Sequence, residues 1–128
     1  MSPVHQAILY LSLVFLGLSL VIPGLFDMLR PTAGSKWLIA ADADARGHLR
    51  GLSGMMAALG TIALGACWDL PNARSVVEVL GVVMVFVAAA RIYSMVVDGS
   101  PRLAGKLYLG AEAALAMVFL SWPPPNGV

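Results

Sequence analysis

Four apolar runs, each close to one bilayer in length, alternate with three polar stretches along the chain. They fall at 6–26, 49–68, 76–97 and 103–122. A helix crossing the hydrocarbon needs about 20 predominantly apolar residues, so each run predicts one transmembrane helix. The first, QAILYLSLVFLGLSLVIPGLF, is poorly flanked for a signal peptide: no Lys or Arg precedes it and no small-x-small site directly follows it. Pro23-Gly24 predicts a kink near its end, which membrane helices tolerate. Ser12, Ser19, Pro23 and Asp27 recur at helical spacing and predict the face turned toward the other helices. In the second run Gly54, Ala57, Ala58, Thr61 and Gly65 supply the small side chains that let membrane helices approach closely.

The polar stretches are the connections. Residues 30–48 form the longest, opened as loop by Pro31, Gly34 and Ser35, with a short interfacial helix predicted over Trp37 to Ala45. Pro71-Asn72 breaks the chain within Asp69 to Ser75, and Gly99-Ser100-Pro101 is a tight turn. The tail PPPNGV, 123–128, is expected to be extended and flexible. With such short connections, consecutive helices run antiparallel. The fold class predicted is all-α: a four-helix transmembrane bundle, up-down-up-down, forming a single integral membrane domain over 1–128.

Composition sharpens this picture. The chain is 59% hydrophobic and 12% charged, with a mean hydropathy of +0.85. Soluble domains carry about 25% charged residues, and half of that cannot cover a globule this small. A net charge of +1, without a basic run, excludes nucleic acid as a partner. The single Cys67 excludes an intrachain disulfide and a CxxC motif. Arg30, Lys36, Arg46, Arg50, Arg102 and Lys106 belong to connections on one side, against Arg74 on the other. That bias predicts cytoplasmic basic loops and both termini outside, periplasmic in a bacterial inner membrane. Trp68 and Trp122 then mark the outer interface.

Candidate chemistry is confined to the charges inside the runs. Arg91 lies seven residues before Asp98, roughly 10 Å inside the helix end at 1.5 Å per residue. A guanidinium there costs about 2.5–3.5 kcal/mol on insertion scales, so a carboxylate is expected beside it. Arg91 and Glu112 stand at similar distances from the Gly99 turn and fall at nearly one depth. Arg91, Ser94 and Asp98 share a face of the third helix, and Tyr108 and Glu112 a face of the fourth; Asp27 and Arg50 come from the ends of the other two. Glu78 sits near the other end of the third run. Two readings of this cluster stand side by side. In one, Arg91–Glu112 is an internal ion pair that fixes helix register. In the other, the cluster lines a pocket for a small lipophilic molecule. Arg91, Arg50, Tyr108, Asp98 and Ser94 then bind it, and Glu112 or Asp27 carries a proton. His48 has no second His near it, Met55, Met56, Met84, Met95 and Met117 form no copper-type cluster, and no nucleophile elbow is present. Neither a metal nor a cofactor is implied.

RGHLRGLSGMMAALG, opening the second run, and AARIYSMVVDGSPRL, closing the third, carry a resemblance. With four short spans and Glu112, the chain resembles a bacterial family of four-span membrane proteins known as domain of unknown function 4345, loosely grouped with DoxX-like membrane proteins. The resemblance covers nearly the whole chain and implies a four-helix membrane bundle without an established reaction. DoxX-like relatives are associated with quinone-linked oxidoreductases. That implies an alternative to the pocket: a non-catalytic accessory or assembly subunit of a larger membrane complex, packing by its Gly/Ala faces. Membrane lipid is a partner on either reading, and a homo-oligomer is compatible with both.

Overall fold

The structure is a computed structural model that describes residues 1–30, 43–100 and 102–125. It is all-α, with α1 at Pro3–Leu29, α2 at Ala43–Ala66, a 3₁₀ helix at Cys67–Asn72, α3 at Arg74–Asp98 and α4 at Leu103–Ser121. Among the described residues there is no strand. Four helical segments are long and apolar enough to cross a membrane, and the chain is a small multi-pass membrane protein. Residues 31–42, Pro101 and 126–128 lie outside the described residues, and with them the loop expected at Pro31, Gly34 and Ser35 and most of the expected interfacial helix.

α1, α3 and the start of α2 extend beyond the apolar runs because hydropathy marks the hydrocarbon, not the end of the helix. α1 starts at Pro3, whose fixed φ suits the first helical position. The Ser2 hydroxyl caps this start by accepting the His5 backbone N–H at 3.1 Å. α2 begins at Ala43 and takes Asp44 into its first turn, where a carboxylate is favoured by the helix dipole. The connection after α2 is a 3₁₀ turn closed by Asn72, whose amide donates to both Asp69 carboxylate oxygens at 3.1 and 2.9 Å.

The described residues divide into two compact units, Leu13–Gly65 and Met1–Ser12 with Ala66 onward. In the first, α1 and α2 run antiparallel along a seam of small residues. A Cβ on Gly60 would lie 2.7 Å from the Gly17 carbonyl oxygen and 2.8 Å from the Val21 nitrogen. A Cβ on Gly24 would lie 2.8 Å from the Ala57 nitrogen and the Ser53 oxygen. The backbones therefore touch, and only glycine permits it. This seam corrects two expectations. On α2 it uses Ser53, Ala57 and Gly60, whereas Ala58, Thr61 and Gly65 are exposed. On α1, Leu13, Leu16, Gly17 and Gly24 are buried, while Ser19 and Pro23 are exposed. Ser19 needs no neighbour, because its hydroxyl donates to the Leu16 carbonyl of its own helix at 3.0 Å.

In the second unit, α3 and α4 form an antiparallel hairpin packed mainly at one end. Val77, Leu80, Gly81 and Met84 of α3 and Leu115, Ala116 and Phe119 of α4 are buried. A Cβ on Gly81 would come within 2.7 Å of Leu120 and 3.1 Å of Phe119. The start of α1 joins this end. Buried His5 stacks on Trp122, ring centroids 4.2 Å apart, and its Nε2–H donates to the Trp122 carbonyl at 2.7 Å. Trp122 caps α4, so its carbonyl is one that the helix itself cannot satisfy. The tail continues into the same packing as far as Pro124, which is fully buried and whose carbonyl accepts from Arg74 at 3.2 Å. His5→Phe keeps the stack and orphans the carbonyl. The expected loss is about 1 kcal/mol, read as a lower melting temperature in detergent, and an unchanged midpoint would refute the capping role.

Toward the turn the hairpin loosens. No residue of α3 after Met84 and none of α4 before Leu115 is buried. Small residues are interspersed there among larger ones, with Ala88, Ala89 and Ala90 on α3 and Gly105, Gly110, Ala111, Ala113 and Ala114 on α4. α3 ends at Gly99, where φ is +98°, a backbone conformation side chains strongly disfavour.

Candidate functional site

The site expected from the sequence centres on Arg91, and the loosened hairpin decides what surrounds it. Arg91 Nε donates to a Glu112 carboxylate oxygen at 2.5 Å. The pairing follows from hairpin geometry, because both residues stand at the same level on antiparallel helices. Their burial differs: the Glu112 side chain is 15% exposed and that of Arg91 41%. Tyr108, one turn before Glu112 on α4, presents its ring face to the guanidinium, with Cζ 5.3 Å from the ring centroid. This is cation–π distance, so Tyr108 meets the cation through its ring.

A guanidinium carries five N–H donors. Glu112 takes the one on Nε; among the described residues, the four on the terminal nitrogens have no hydrogen-bond acceptor. Arg91 lines a cleft of about 80 Å³ with Ser94, Met95, Gly99 and Gly105. A water needs about 10–15 Å³ of such space, so the cleft holds several waters or one small polar group. It is well below the ~300–1,000 Å³ that encloses a drug-sized ligand. The Ser94 hydroxyl donates to Asp98 at 3.0 Å, so Asp98 joins the mouth of the cleft through Ser94.

Asp27 and Arg50 belong to the Leu13–Gly65 unit. Arg50 donates to the Met28 carbonyl at 3.1 Å and so serves the C-terminal end of α1, whose last carbonyls lack helical partners. Asp27 is half-buried one residue earlier. Glu78, at the far end of α3, pairs with Arg74 at 2.8 Å. His48 is exposed. No cluster of three or more His, Cys, Asp or Glu side chains suited to a metal occurs among the described residues.

Sequence reasoning does not find Met95, Gly99 or Gly105 as cleft residues. None carries chemistry of its own, so nothing in the sequence singles them out. Comparison with curated proteins and with solved structures finds no match for the chain. A family model does match, over residues 8–123, and the chain belongs to that family, described as a domain of unknown function (DUF4345).

Proposed function

We propose that the protein binds a small lipophilic molecule at Arg91, with the polar group of that molecule in the cleft between the turn ends of α3 and α4. The observation that carries this reading is a guanidinium within a helix long and apolar enough to cross a membrane, which lines a cleft and has only Nε committed to the protein. Lipid tails offer those donors nothing, and polar N–H groups left unsatisfied in hydrocarbon cost several kcal/mol each. Ser94 and Asp98 border the polar group, Tyr108 steadies the cation, and Glu112 is the proton carrier if the bound molecule reacts. The asymmetry of basic residues assigns the cleft, and the helix ends that carry Asp27 and Arg50, to the cytoplasmic side of a bacterial inner membrane, with both termini periplasmic.

The test uses the purified full chain. Lipophilic compounds that co-purify with wild type, extracted and identified by mass spectrometry, should be missing from Arg91→Ala and Glu112→Gln. Both variants should stay folded, since the buried apolar residues of the hairpin lie at its other end, around Phe119, and neither variant touches them. Identical extracts from all three proteins would eliminate the binding reading. Unfolding of both variants would make the pair a structural pin, because breaking a buried pair costs about 3–5 kcal/mol.

One observation favours the accessory-subunit reading. A Cβ added at Gly47, Gly51 or Gly65 of α2 would meet no atom within 4 Å, and with Gly54, Ala58 and Thr61 these glycines form a stripe of small residues. A subunit of a larger, quinone-linked complex would pack by such a face. Pull-down from detergent-solubilised membranes should then recover a stoichiometric partner.

A further inference from the structure

The size of the cleft and the charges near its mouth both bear on what it holds. A whole amphiphile does not fit in about 80 Å³; a phosphate or carboxylate group does. The Arg91–Glu112 pair is neutral by itself. Along the chain, the mouth residues Gly99 and Gly105 are flanked by Asp98 and by the exposed Arg102 and Lys106, a surplus of one positive charge near the mouth that favours a monoanionic head over a zwitterionic one.

The donors point the same way. With Nε on Glu112, the remaining edge of the Arg91 guanidinium presents two parallel N–H groups. That fork matches the two oxygens of a phosphodiester or carboxylate. Tyr108 meets the guanidinium through its ring, with Cζ 5.3 Å from the centroid, and takes none of these donors. The mouth is formed at the helix ends, by Gly99 and Gly105, where lipid headgroups lie. Around it Val96, Leu103 and Leu107 are exposed and apolar, a surface on which an acyl chain rests without leaving the membrane.

We infer that the cleft takes the monoanionic oxyanion head, a phosphodiester or a carboxylate, of a membrane amphiphile whose tail remains in the lipid. This rests on the binding reading above and names the class of ligand for the same site.

Native mass spectrometry of the full chain in detergent tests it. The probes are dioleoylphosphatidylglycerol and oleate, with dioleoylphosphatidylcholine and monoolein as comparators of zero net charge. Inorganic phosphate and acetate serve as free ions. Wild type should retain the two anionic amphiphiles at least tenfold better than either comparator, and millimolar phosphate or acetate should not displace them. Gly105→Leu fills the cleft from α4 and should abolish the preference while leaving the Arg91–Glu112 pair and the melting temperature unchanged. Met95→Trp fills it from α3 and guards against a folding defect in the first variant. Absence of any anionic preference in wild type overturns the inference, as does its persistence in both filled variants. Displacement by free phosphate or acetate overturns the amphiphile assignment in favour of a free ion. If monoolein is retained in an Arg91-dependent manner and the anionic amphiphiles are not, the ligand class fails and the binding reading survives. If no amphiphile depends on Arg91, both fall.

Discussion

Gly60→Leu is expected to separate α1 from α2 and to cost about 3 kcal/mol or more, the upper end for overpacking a close contact. The Cβ alone would meet the Gly17 carbonyl oxygen at 2.7 Å, the Val21 nitrogen at 2.8 Å and the Val21 side chain at 2.7 Å. Two of these three are backbone atoms, so no rotamer change relieves the clash. The helix itself must move, and the neighbouring contact of Gly24 with Ala57 and Ser53 moves with it. Gly60→Ala should already destabilise the protein, although alanine is favoured over glycine in a helix by roughly 1 kcal/mol. The control is Gly65, further along the same helix, around which a Cβ meets nothing within 4 Å. Gly65→Ala should be neutral or slightly stabilising, and Gly65→Leu should be tolerated. Thermal unfolding in detergent compares these variants with wild type. A Gly60→Leu protein as stable as Gly65→Leu would show that the two helices do not touch.

That contrast also shows what the sequence could carry. The second apolar run is crowded with glycines and alanines that have near-equal claims to the interface, and spacing gathers Gly54, Ala57, Ala58, Thr61 and Gly65, of which only Ala57 lies on the buried face. The structure uses a face one residue earlier, about 100° round the helix. What distinguishes the two faces is the partner: Gly17 and Gly24 on α1 bring their own gaps to Gly60 and Ala57. A single helix read by itself does not contain that information. The existence of the four helices is legible because the hydrocarbon demands about 20 apolar residues from any crossing segment. Their ends are not, since polar residues such as Asp44 and Arg46 remain helical once they reach water.

The candidate site divides in the same way. Depth along a hairpin is a one-dimensional quantity, so counting outward from Gly99 is enough to put Arg91 and Glu112 level. The cleft is a property of what both helices lack near the turn, and it depends on how the packed end around Phe119 sets their separation. Depth alone also gathers Asp27 and Arg50 to the site, but it fixes only a level in the membrane and leaves the lateral position open.

Phe119→Ala probes the packed end that holds this separation. Phe119 is fully buried, and its Cβ lies against Gly81 of α3. In a soluble core such a truncation costs about 3–5 kcal/mol, from lost transfer energy together with the cavity left behind. Within a bilayer the first contribution shrinks, because lipid tails are as apolar as the protein interior. The lost packing remains, and the expected cost is about 2–3 kcal/mol. Phe86 of the same hairpin is 73% exposed. Its truncation exchanges one lipid contact for another and should stay within ~0.5 kcal/mol. The pair of variants thus separates packing from hydrophobicity, two quantities that usually change together. Reversible unfolding in mixed micelles would measure both. Equal losses for Phe119→Ala and Phe86→Ala would mean that the closed end of the hairpin is not packed as described. In that case nothing would fix the width of the cleft at its other end.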